Sequence, residues 1–144
     1  MAALEPFQDK RIRDSIGRQT LLATLGIEIV ELAPGRVTLG LPFRPDLCQQ
    51  NGFLHAGAVT TAADSACGYA AMTLQPEDHD ILTVEFKVNL VSPAVGERFL
   101  ATATVARPGR TLTVCTAEVV AHSPGAAPKT VALMQATLMA IPRP

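Results

Sequence analysis

Residues 51–71 read NGFLHAGAVTTAADSACGYAA, a stretch without Lys, Arg or Glu in which Asp64 is the one acid. From about residue 56 to 75 the pattern predicts one long helix that is apolar nearly all round, and such a helix has to be buried on most sides. The remaining chain supplies what can bury it. Leu82, Val84, Phe86, Val88 and Leu90 alternate with Thr83, Glu85, Lys87 and Asn89, the period of a half-buried strand. Three further runs, about 97–107, 110–122 and 129–140, are rich in Val, Thr, Leu and Ala, and the turn sequences SPAVGE, ARPGRT and HSPGAAPK separate the four. Four consecutive strands with short connections imply an antiparallel meander. Ahead of the helix, GIEIVELAPGRVTLGLP places branched residues on either side of Pro34-Gly35, which predicts a hairpin of strands at 27–33 and 36–41. Residues 8–25, with Ile12, Ile16, Leu21, Leu22 and Leu25 near helical spacing and Gly26 as a stop, predict a short leading helix. The expected fold is α+β: a six-stranded antiparallel sheet wrapped round one long central helix, with a short N-terminal helix.

A chain of 144 residues is of the size of one domain, so residues 1–144 are expected to form a single unit with 1–20 as an N-terminal extension. Charged residues make up only 17% against 48% hydrophobic, too little charge to cover a monomer's surface, so self-association is expected. A net charge of −1 with scattered Lys and Arg offers no footprint for nucleic acid or an anionic membrane. No run approaches the roughly 20 apolar residues of a membrane span, and the N-terminus lacks the apolar stretch of a signal peptide. Cys48, Cys67 and Cys115 are odd in number and lie outside any CxxC or Cys/His cluster. That argues against a disulfide framework and against a zinc or other metal site, and fits a reducing cytoplasm.

Within the predicted helix, Thr60, Thr61, Asp64, Ser65 and Gly68 share one arc at about 100° per residue. A solvated arc would carry Lys and Glu; this one suits a cavity or another polypeptide. Asp64 fits two roles there, a buried carboxylate satisfied by hydrogen bonds or a general base or nucleophile tuned by partial burial. At the helix start, an Asn51-Gly52 turn and His55 precede the first turn, whose free N–H groups and positive dipole end can hold an anion or a developing oxyanion. From Ala56 to Asp64 is about 12 Å at ~1.5 Å per residue, whereas an attacking oxygen must come within roughly 3–3.5 Å of its carbon. One helix cannot bring both groups to one carbonyl. A two-fold homodimer can, with the helix start of one chain facing Asp64 of the partner subunit, which predicts two composite sites.

With NGFLHAGAVTTAADSACGYAA, LTVEFKVNLVSPA and VARPGRTLTV, the chain from about residue 20 onward strongly resembles the hotdog-fold acyl-CoA thioesterases, specifically the phenylacetate-pathway (PaaI-like) family. The resemblance implies hydrolysis of acyl-CoA thioesters to a carboxylic acid and CoA by a homodimer, paired into a homotetramer. CoA is part of the substrate, and no other cofactor is implied. The family's His-Gly-Gly is His55-Ala56-Gly57 here, so the Ala56 N–H would polarise the thioester carbonyl, with an added Cβ where the substrate approaches. The family's acid, nine residues after the histidine, falls on Asp64, as general base or nucleophile. Gln49 holds the place of a polar side chain that assists at the carbonyl in related enzymes; read from the residues alone, it is equally a loop glutamine in water.

Thr83 matches a hydroxyl that positions water in some relatives, and His55 is implied to orient the loop rather than to act as a base. Gly68 sits where some relatives carry a water-positioning threonine, a role that would pass here to Thr83 or Ser65. Arg107 and Arg110, flanking Gly109 on the ARPGRT turn, are suited to the phosphates of CoA, or are solvated turn charges. Asn51, Gly52, Ser65 and Gly68 complete the candidate substrate-binding set. Two other functions fit the same fold: an enoyl-CoA hydratase or dehydratase, whose His/Asp or His/Glu pair matches the His55–Asp64 spacing less well, and a non-catalytic acyl-CoA-binding module, which would have no need of the acid.

Overall fold

A computed structural model describes residues 2–144. Two helices lead the chain, α1 (Pro6–Arg18) and α2 (Thr20–Leu25). Pro6 suits a first turn, where the missing N–H is one of the groups left unbonded anyway. The single leading helix expected for 8–25 is therefore broken at Gln19, whose backbone is extended (φ −83°, ψ 98°). On one continuous helix Ile12 and Leu25 would point about 140° apart; the break lets both reach the core, where both are buried. Gly26, left-handed at φ 71°, ends α2.

The hairpin β1 (Glu28–Ala33) and β2 (Arg36–Pro42) turns at Gly35, also left-handed. A loop carrying a short 3₁₀ turn (Pro45–Leu47) leads to the central helix α3 (Ala56–Met72), followed by β3 (His79–Leu90), β4 (Arg98–Arg107), β5 (Leu112–His122) and β6 (Lys129–Pro142). The six strands form one antiparallel sheet in the order β1-β2-β4-β5-β6-β3. Here the structure corrects the sequence reading: only β4, β5 and β6 form a meander, and β3 pairs with β6 at the far edge. Helix α3 is the reason. It leaves β2, crosses the concave face and touches every strand from β2 to β6, so the next strand begins on the opposite edge and the chain must return to build the middle.

The core lies between α3 and that face. Ala58, Val59, Ala62, Ala63, Ala66, Cys67 and Ala70 meet Val37, Leu39, Leu41, Phe99, Ala101, Ala103, Cys115 and Val119. Small side chains on the helix let the curved sheet close round it. Helix α1 docks on the C-terminal end of α3, where Gln8 donates to the Gln75 carbonyl at 2.9 Å and Arg11 to that of Pro76 at 3.0 Å. These bonds satisfy carbonyls of the turn that follows α3, while the last carbonyls of the helix itself are met by the N–H groups of Thr73, Leu74 and Gln75 and by the Thr73 hydroxyl. Among the described residues no helix is long and apolar enough to cross a membrane.

The alternation in β3 needs a second correction. Thr83 faces Leu138 and Glu85 faces Thr137, consecutive residues of β6, so Val84 is an extra residue in a β-bulge. The bulge swaps faces midway. Ile81 and Thr83 share the helix side with Phe86, Val88 and Leu90, whose partners on β6 are the buried Ala136, Met134 and Ala132, while Leu82 is turned outward. As an edge strand, β3 also leaves apolar side chains uncovered: Leu82 is 57% exposed, Phe86 45% and Leu90 53%.

Candidate active site

The loop before α3 is organised round its own polar groups. The Asn51 N–H donates to the Gln49 side-chain oxygen, so the Gln49 amide nitrogen is left to donate elsewhere. Gly52, left-handed at φ 82°, closes that turn with its N–H on the Gln49 carbonyl at 3.1 Å. Asn51 and Gly52 thus shape the loop that presents Gln49. His55 is the N-cap of α3, and its Nδ1 accepts from the Gly57 N–H at 2.8 Å, which places its ring proton on Nε2. A Cβ at Gly57 would lie 3.1 Å from Nδ1, so a larger residue there would have to displace the ring by a few tenths of an ångström. With the Gly57 N–H consumed and those of Ala58 and Val59 on the His55 carbonyl, the Ala56 N–H has no acceptor among the described residues. Ala56 lines, with Gln49 and His55, a cavity of about 470 Å³ walled also by Phe53, Val59, Val91 and Pro93. A lone N–H at the positive end of a helix, beside an apolar cavity, has the chemistry to hold a developing oxyanion.

Two turns along, the arc of Thr60, Thr61, Asp64, Ser65 and Gly68 forms the half-buried stripe of a helix otherwise packed on the sheet. The Asp64 Oδ1 accepts from the Thr83 hydroxyl at 2.7 Å, a bond the bulge at Val84 makes possible by turning Thr83 inward. Among the described residues nothing donates to its other carboxylate oxygen. Asp64, Ser65, Gly68 and Thr83 line a second cavity of about 330 Å³. The candidate residues are therefore brought together in two groups rather than one, with Gln49, His55 and Ala56 at the helix start and Asp64, Ser65, Gly68 and Thr83 in its middle.

Arg107 and Arg110 join neither group. Arg110 and Gly109 border a third hollow with Gln75 and His79, and Arg107 is exposed at the end of β4. Gly109 has a structural task, since a Cβ there would overlap the Leu112 carbonyl, and its own carbonyl accepts from the Gln75 side chain at 2.9 Å. Beneath the stripe, Cys67 is a packing residue, its thiol pushed far above the usual range by hydrogen bonding with Cys115 and by burial. Among the described residues no three His, Cys, Asp or Glu side chains cluster as a metal site would need.

The sequence reading missed the far wall of the Asp64 cavity, made by Ser15, Arg18, Gln19, Tyr69 and Met72. A usable signal was present. Tyr69 is the only tyrosine of the chain and adjoins Gly68 of the polar stripe, and a phenol on a buried helix needs a hydrogen-bonding partner.

Residues 51–127 match the thioesterase superfamily. In three dimensions the chain is similar to a thioesterase family protein from Silicibacter pomeroyi, with 53% identity over 94% of this chain and 98% of that one and a TM-score of 0.91. It also shares the fold of the E. coli PaaI protein of the phenylacetic acid degradation operon, at 20% identity over 96% of both chains and a TM-score of 0.85. Two esterase-named proteins of Saccharolobus solfataricus are each 30% identical to it. One match runs over 90 residues, 62% of this chain and 64% of that protein; the other over 103 residues, 72% and 68%.

Proposed function

The chain belongs to the thioesterase superfamily, and from that premise we propose that it hydrolyses acyl-CoA thioesters to a free carboxylic acid and CoA at two composite sites of a homodimer. One observation carries the reading: Ala56, whose N–H has no acceptor among the described residues, and the Thr83-anchored Asp64 line different cavities, about 12 Å apart along one helix. Each cavity holds half of what the reaction needs, and a two-fold axis beside α3 supplies the other half. Strand β3 supports the axis. It is a 12-residue edge with free backbone groups on one side and uncovered apolar side chains, the kind of edge that proteins pair or protect. The outward Leu133 and Met139, both exposed, offer dimers a face on which to pair as tetramers.

In the proposed site the thioester oxygen lies on the Ala56 N–H, with the Gln49 amide as a second donor. Asp64 of the partner subunit approaches the carbonyl carbon with its free oxygen. As a base it takes a proton from water while the water oxygen bonds to carbon; as a nucleophile it bonds to carbon itself, and water then cleaves the anhydride. In both cases negative charge grows on the carbonyl oxygen, where the helix start stabilises it. The C–S bond breaks as that charge returns, and the CoA thiolate leaves and gains a proton. His55 holds the Gly57 N–H and thereby the loop, a positioning role. The protein supplies no metal or resident cofactor in this scheme, and its setting would be the cytoplasm. Incubation with a panel of aryl- and aliphatic-acyl-CoAs, reading free thiol, tests it: activity on some member that collapses in Asp64→Ala supports the reading. Binding of the esters without thiol release from any member overturns it in favour of an acyl-CoA-binding module.

A further inference from the structure

The Asp64 cavity has a far wall that the reaction itself does not use. From Asp64 and Thr83 it runs past Ser65 and Gly68 to Tyr69 and Met72, and the α1–α2 junction contributes Ser15, Arg18 and Gln19. A Cβ on Gly68 would meet nothing within 4 Å, so the helix surface there borders open space. Tyr69 is only 3% exposed. Its hydroxyl is fixed from two sides, by the Ser15 hydroxyl at 3.0 Å and by the Gln19 amide at 2.6 Å. Gln19 is the residue at which the leading helix breaks, so the break that lets α1 and α2 both pack also sets this wall.

Resting on the hydrolase reading above, we propose that the Asp64 cavity receives the acyl group and that the Ser15–Tyr69–Gln19 wall limits its size, so that compact acyl groups are accepted and long-chain ones excluded. The volume fits. A cavity of about 150 Å³ accepts benzene, and this one, at about 330 Å³, has room for a ring or a short chain but not for the nucleotide and pantetheine of CoA, which must leave by the other side of the carbonyl. Gly68 provides the width beside the carbonyl carbon, and the tyrosine wall provides the end stop.

The test is kcat/KM by thiol release for acetyl-, hexanoyl-, cyclohexanecarbonyl- and palmitoyl-CoA, with the native protein, Gly68→Val, Tyr69→Phe and the double variant Ser15→Ala/Gln19→Ala. A side chain or methylene gained or lost in a pocket shifts selectivity by about tenfold or more. Gly68→Val should lower the cyclohexanecarbonyl-to-acetyl ratio by about that factor, and the double variant should raise the palmitoyl-to-hexanoyl ratio by as much, with Tyr69→Phe between native and double. Calorimetry with the corresponding S-(2-oxoalkyl)-CoA ketones, which cannot be hydrolysed, reads the same ratios as affinities. A native protein that binds the ketones but releases no thiol from any ester refutes the hydrolase reading, and the binding ratios still decide the wall. Equal factors for all acyl sizes, in rate or in affinity, overturn the proposal.

Discussion

Ala56→Pro replaces the proposed oxyanion donor by a ring carbon, Cδ, and leaves the other hydrogen bonds of the helix start in place. Ala56 is the first residue of α3, the position at which a helix tolerates proline because the N–H has no intrahelical acceptor. The residue before a proline must be extended, and His55 already is, at φ −60° and ψ 140°. The ring replaces only the N–H that lacks an acceptor, while the His55 Nδ1 bond to the Gly57 N–H is untouched. If that N–H holds the oxyanion, losing the donor should cost about 10²–10³ in kcat, or roughly 2.7–4 kcal/mol of transition-state stabilisation, and the crowding by Cδ adds to that loss. Thermal unfolding should shift little. The assay is thiol release on the best acyl-CoA of the panel, with the midpoint of unfolding recorded on the same samples. A folded Ala56→Pro protein with native kcat would refute the assignment of Ala56. Mixing it with Asp64→Ala, after denaturation and refolding together, should restore activity that neither variant has alone, because a mixed dimer contains one intact site. Absence of recovery in verified mixed dimers would refute the composite site.

Thr83→Val keeps a β-branched residue on the strand but deletes the hydrogen bond to the Asp64 carboxylate. Such bonds contribute ~1.5–3 kcal/mol, so kcat should fall between about tenfold and a hundredfold, and Thr83→Ser should recover most of it. Phe86→Arg, at the uncovered edge of β3, should yield a folded monomer by sedimentation with no thiol release at any substrate concentration. Gly109→Ala should destabilise by about 2–4 kcal/mol in denaturant unfolding, because its Cβ would overlap the Leu112 carbonyl.

The central helix was legible in the sequence because burial on nearly every side is written in composition, and its start at Ala56 in the Asn-Gly turn and His55 before it. The stripe with Asp64 was legible by period alone. Strand order was not, since each strand looks alike to a pattern of alternation; the route of α3 across the sheet decides which edge comes next. The bulge at Val84 left no mark either. An unbroken run of alternating residues conceals it, and only the paired strand reveals that one residue is extra. The break at Gln19 has no Pro and only Gly17, two residues earlier, as a weak point, and it lets Ile12 and Leu25 both reach one core. For the site, sequence located the chemistry near Asp64 and the helix start but not the wall opposite, since Ser15 and Gln19 meet Tyr69 from 54 and 50 residues away in the chain.

Losing a single residue from a strand ordinarily inverts every side chain beyond it and ruins the fold. In β3 the extra residue is already there, so a chain lacking Val84 would keep Ile81 and Thr83 on the helix side and Phe86, Val88 and Leu90 with them. Shortening is thus open to this strand in a way it is not to its neighbours. What such a deletion would surrender is the local twist, and with it the aim of the Thr83 hydroxyl at Asp64. A family of chains differing by one residue at this place would share one core and differ in how firmly the acid is held.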